Sequence, residues 1–135
     1  MQPAQLHEDE FLRIFWDKQT GIIGIDWMEA TSEMTDEDFK TELTLFAKQV
    51  EDKRAPRILI DVSKFRHRPG AEIGEWRLKN ISTRYNAAGV QRFAFLFSKD
   101  SQIPPMASQP VEGELFLTQS FNSWEQATAW LTASE

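Results

Sequence analysis

The stretch Arg57-Ile-Leu-Ile-Asp-Val-Ser-Lys-Phe-Arg-His-Arg-Pro-Gly-Ala-Glu-Ile-Gly-Glu-Trp76 decides the fold. Its first part, Ile58 to Val62, has no alternating polar face, so it predicts a strand buried on both sides at the centre of a parallel sheet. A basic loop follows, Lys64 to Arg68, and Pro69-Gly70 then opens a helical pattern. In open α/β sheets, such a strand–loop–helix junction lies on the carboxyl edge, where ligands bind.

Working outward, Glu10 to Trp16 alternates between two largely apolar faces, Asp17 to Gly21 is turn chemistry, and Ile22 to Met28 is a second strand. Together they predict an N-terminal antiparallel hairpin. Thr35-Asp36-Glu37-Asp38 is close to a capping box. The helix it opens carries Phe39, Leu43, Phe46, Ala47 and Val50 on one stripe and stops before Arg54-Ala55-Pro56. A second helix is predicted from about Ala71 to Ala87, with Ile73, Trp76, Ile81 and Tyr85 inward and Ala88-Gly89 as its stop. Val90 to Phe97 and Glu114 to Phe121 are further strands. Between them, residues 101–113 form a loop bearing Pro104, Pro105 and Pro110, either a lid or contact surface or a rigid connection that covers the sheet edge. Ser123-Trp124-Glu125-Gln126 opens a C-terminal helix. The expected fold is α/β: a mixed sheet of about five strands, hairpin first and parallel strands after, with three main helices. Residues 1–9 are polar and expected to be flexible, and 10–135 form one domain.

Composition narrows the function classes. The 135 residues carry a formal net charge of -6, which opposes general affinity for nucleic acid or anionic membrane. There is no cysteine, so thiol catalysis and disulfides are excluded. The N-terminus has no signal-peptide pattern and no apolar run reaches spanning length, so a cytoplasmic protein without integral membrane association is expected. Five Trp and ten Phe against one Tyr suit either a core of large rings or an apolar groove or dimer face.

Three pieces of the chain resemble the bacterial SpoIIAA-like proteins of the STAS superfamily, which are sometimes grouped with lipid-exchange domains. They are the strand exit Ile58 to Phe65, the strand entry Gly89 to Phe95, and the closing Glu125 to Leu131. The resemblance implies a STAS-like scaffold. Anti-sigma-factor antagonists of that superfamily carry an Asp-Ser pair at the start of the helix after this strand, and a partner kinase phosphorylates the serine. Pro69, Gly70 and Ala71 stand there in this chain, Ser63 comes too early and Ser82 too late, so the phosphoserine switch is not carried over.

The basic loop is the main chemical signal. Arg66, His67 and Arg68, beside the amides of a helix starting near Gly70, form a candidate anion site, with Arg77 and Trp76 at its side. The alternative is a solvated loop, or one paired to Glu72 and Glu75. His7 and His67 are the only histidines, and neither sits in a metal-ligand spacing, so no metal or cofactor is expected. The acidic run Glu33 to Asp38 lacks the calcium-loop pattern. No GxGxxG, phosphate-loop or GxSxG motif occurs. Two functions remain. One is a non-enzymatic binding or regulatory module for a small amphipathic anion, a protein partner or a second copy. The other is a small enzyme using His67 with Asp61 or Glu72 as acid and base.

Overall fold

The computed structural model describes residues 3–99, 101 and 112–133. Strand β4 (Arg57–Asp61) lies between β3 (Ile22–Trp27) and β5 (Arg92–Leu96) and is parallel to both, with Ile58 opposite Ile23 and Phe93. It is the central strand its apolar run predicts. Strands β1 (Ala4–Glu8) and β2 (Leu12–Asp17) extend the sheet beyond β3 in antiparallel fashion, and β6 (Leu117–Phe121) adds a parallel strand beyond β5. The six strands are in sequence order, β1 to β6.

The sixth strand is β1, made from residues expected to be flexible. Its polar side chains carry no period-2 signal. However, an edge strand is held by one row of backbone hydrogen bonds, and Leu6 also packs on the core. A bulge between Gln5 and His7 shifts the register against β2.

Both sheet faces are covered. On one, Leu12, Ile14, Ile23, Ile25, Ile58 and Ile60 meet α1 (Asp36–Lys53) and the helix spanning 73–88. On the other, Phe15, Ile22, Leu59 and Ala94 meet Ala127 and Leu131 of α4 (Trp124–Thr132). Side chains alternate across each strand, so β4 must be apolar on both sides. The capping box that starts α1 is complete: Thr35 accepts from the Asp38 amide and Asp38 accepts from the Thr35 amide. Gly89 ends the 73–88 helix in the left-handed region, at φ 91°.

That helix is continuous but not uniform. Segments α2 (Ile73–Arg77) and α3 (Thr83–Ala88) flank a π-helical stretch, Leu78–Ser82. The residues at the junctions all keep right-handed helical dihedrals. In a regular α-helix, positions eight apart would be roughly 80° out of phase. The wider π turn absorbs much of that offset, and it turns Arg77 and Tyr85 toward the same space.

The proline-bearing segment 102–111, a candidate lid from its sequence, lies outside the described residues. Among those described, no helix is long and apolar enough to cross a membrane.

Gly24 of β3 is a point of close approach. A Cβ there would lie 2.3 Å from the Phe15 ring and 2.5 Å from the Leu59 carbonyl oxygen. The carbonyl belongs to the central strand and cannot step aside. Gly24→Ala is expected to cost about 1–3 kcal/mol, toward the upper end, read from the urea midpoint at unchanged m-value.

Candidate functional site

The carboxyl ends of β3 and β4 open onto a cavity of about 470 Å³ between the sheet, α1 and the 73–88 helix. Its walls are apolar: Ile25, Ile60, Phe93 and Phe95 from the sheet, Phe39 and Leu43 from α1, and Trp27 and Phe65 at the edge. His67, Arg68 and Pro69 line it from the basic loop, and Arg77 and Tyr85 from the helix. The volume falls in the range of small-molecule sites, which combine apolar walls with a few polar groups.

The basic loop is a fixed wall of this cavity. Phe65 is buried in an aromatic cluster, with its ring centroid 4.9 Å from that of Trp27 and 5.7 Å from that of Phe39. Buried Thr31, in the 3₁₀ turn Glu29–Glu33, accepts the Arg66 amide at 2.7 Å. Asp36, the first residue of α1, holds the loop's far end. One of its oxygens lies 2.8 Å from His67 Nε2, and its carboxylate accepts the Gly70 amide at 3.2 Å. The His67 side chain is thereby only 9% exposed, with its ring against Phe39 and Phe65.

These contacts divide the residues singled out in the sequence. His67, Arg68 and Arg77 come together around the cavity. Arg66 does not join them, since its guanidinium donates to the Ser63 and Phe65 carbonyls of its own loop. Gly70 cannot give its amide to a bound anion, because Asp36 already occupies it. Both Asp36 oxygens lie 3.2 Å from that amide. Trp76 packs on the core and lies under Lys40, and it is Trp27 that faces the cavity.

The carboxylates are also redistributed. Asp61 accepts the Ser63 amide and hydroxyl, at 2.9 and 2.6 Å, and caps its own turn. Glu72 is exposed, and Glu75 pairs with Lys79 at 2.8 Å. The partner of His67 is therefore Asp36, 31 residues upstream. Among the described residues, neither Glu72 nor Glu75 pairs with the basic loop.

Arg77 stacks over Phe93 and pairs with Glu114 at 3.1 Å. Ser82 donates to the same Glu114 oxygen at 2.5 Å. Arg68 is exposed at the mouth and has no ion pair among the described residues. Tyr85, 2% exposed, has its phenol pushed well above its ordinary value by burial, so it stays a neutral donor. A chemical gradient results, with a cation at the mouth and neutral walls inside.

Sequence reading missed Asp36 and Glu114 as site residues. Asp36 reads as a helix cap, and Glu114 follows a loop far along the chain. Neither carries a local pattern that names its partner.

Searches against protein families, curated proteins and solved structures returned no match to this chain.

Asp36 titrates below the ordinary carboxylate value, chiefly through its hydrogen bond to His67 and with help from the Gly70 amide. A carboxyl whose folded value is depressed stabilises the fold above its unfolded value, about 3.9. That contribution is lost as pH falls through the folded value. NMR titration of the Asp36 carboxyl carbon should give a midpoint below about 3.9, and His67→Ala should move it upward. An unmoved midpoint would leave the loop without its clamp.

Proposed function

We propose that this chain is a non-enzymatic binding module that takes an amphipathic anion into the cavity, with the apolar part against Ile25, Phe39, Leu43 and Phe93 and the charged group at Arg68. One observation carries the reading: an apolar space of about 470 Å³ whose mouth bears an arginine without a protein counter-ion among the described residues. Burial of a hydrocarbon chain supplies the affinity, at roughly 25 cal/mol per Å² of apolar surface. The arginine selects the end that enters last. The resemblance to SpoIIAA-like proteins, with a scaffold but no phosphoserine, supports a binding role in a bacterial cytoplasm.

A second reading is favoured by the Asp36–His67 pair. With Nε2 on the carboxylate, a neutral His67 leaves Nδ1 as a base, which is the orientation acid–base catalysis needs. No hydroxyl is hydrogen-bonded to His67 among the described residues, so an activated side-chain nucleophile is missing from this arrangement. Product analysis after incubation with a fatty acyl ester separates the readings, since a binding module returns the ester intact.

Calorimetric titration with dodecanoate tests the main reading. Arg68→Ala should weaken binding by roughly 1–2 kcal/mol, the low end for a charged contact because the mouth is screened by solvent and salt. Arg66→Ala should leave it unchanged, since that guanidinium is turned onto its own loop. Leu43→Trp should weaken it by narrowing the cavity. Dodecanol should lose little in Arg68→Ala. Equal loss in the two arginine variants, or undiminished binding in Leu43→Trp, would refute the site.

A further inference from the structure

Beside the edge strand β1, three donors from separate elements converge. His7 lies on β1, Asp9 in the turn to β2, and Glu42 on the second turn of α1. One donor atom from each lies within 4.8 Å of the other two, and His7 Nε2 is 2.8 Å from Asp9 Oδ2. Asp9 is held in place by its other oxygen, which accepts the Phe11 and Leu12 amides at 2.8 and 3.1 Å. The bulge in β1 comes just before His7, where the register against β2 shifts.

Glu42 provides the independent observation. It is a carboxylate side chain only 6% exposed, and its Oε2 is sealed from solvent without a hydrogen-bond partner. An orphaned buried carboxylate oxygen is costly, and native proteins keep one only where a proton, water or ion satisfies it. Glu42 and Asp9 share a recess of about 250 Å³, also lined by Glu10 and Asp38, with no Lys or Arg in its walls.

We infer that His7, Asp9 and Glu42 form a binding site for a divalent transition-metal ion. One imidazole and two carboxylates suit Zn²⁺ and Co²⁺, and the imidazole disfavours Mg²⁺ and Ca²⁺. Zn–N and Zn–O bonds of about 2.0–2.2 Å put donors roughly 3.3 Å apart, so side-chain shifts of about 1.5 Å or less close the site. Three protein donors leave a fourth position for water or an exogenous ligand. Neither His7-x-Asp9 nor Glu42 is a metal motif in sequence; only the tertiary structure, which brings β1 and its turn beside Glu42 of α1, assembles them. The site is separate from the cavity and does not depend on what the cavity holds.

The test uses the tag-free full chain and the metal alone. Calorimetry with ZnCl₂ should show one equivalent bound, Co²⁺ should give visible d–d bands, and MgCl₂ should give no heat at the same concentration. His7→Ala and Glu42→Gln should each weaken Zn²⁺ binding more than about 100-fold, since loss of an outer-shell partner alone costs 10–100-fold. His7→Gln serves as a second variant that keeps the polar edge of β1, and circular dichroism of each metal-free variant checks the fold. Absence of Zn²⁺ binding by the parent overturns the site, leaving Glu42 as a protonated carboxyl against Asp9. So does equal affinity in His7→Ala, or binding that is lost in His67→Ala instead.

Discussion

The parallel pairing of β4 between β3 and β5 is the constraint on which the remaining structure rests. A strand with neighbours on both edges and side chains on both faces has no direction left for water. Ile58, Leu59 and Ile60 are accordingly buried. Parallel neighbours require crossover connections, so α1 and the 73–88 helix must cover one face, while α4 closes the other. The carboxyl ends of β3, β4 and β5 then lie side by side, and the chain leaving β4 must cross the end of the α1 layer.

That crossing makes the cavity wall. A loop carrying four basic or potentially basic groups would repel itself and stay mobile if it met only solvent. Here three anchors hold it: Phe65 among the rings, Thr31 on the Arg66 amide, and Asp36 on His67 and Gly70. Asp36 also lies at the positive end of the α1 dipole, which favours its charged form. The residue that starts the helix therefore also fixes the loop, and the cavity mouth is rigid on that side. Arg68, exposed at the cavity mouth, is not engaged by any of these anchors.

The opposite wall depends on a helical irregularity. A regular helix over 73–88 would not point both Arg77 and Tyr85 at one space, and the π-helical stretch Leu78–Ser82 brings their phases together. Buried Glu114 then holds Arg77 over the Phe93 ring and also takes the Ser82 hydroxyl, so the charge of Arg77 is balanced within the protein. The two arginines of the cavity consequently have different characters. Arg77 is a paired part of the wall, and Arg68 is exposed at the mouth without an ion pair among the described residues.

Sequence by itself determined the architecture, because strand and helix periodicities are local properties of a dozen residues. The doubly buried run at Ile58, the Thr35 cap, the stripe on α1 and the Gly89 stop could all be read from neighbours in the chain. It also placed the basic loop at the carboxyl end of the central parallel strand, since that position follows from strand order. It failed for β1, whose pairing is made by backbone groups that side-chain patterns do not report. The partners of charged groups were decided only by tertiary structure. His67 meets Asp36 across 31 residues, Arg77 meets Glu114 across 37, and Glu42 meets Asp9 across a helix and two strands. A charge attracts any opposite charge, so its identity carries no address. Which pairs form depends on where the packed helices and strands bring the chain together.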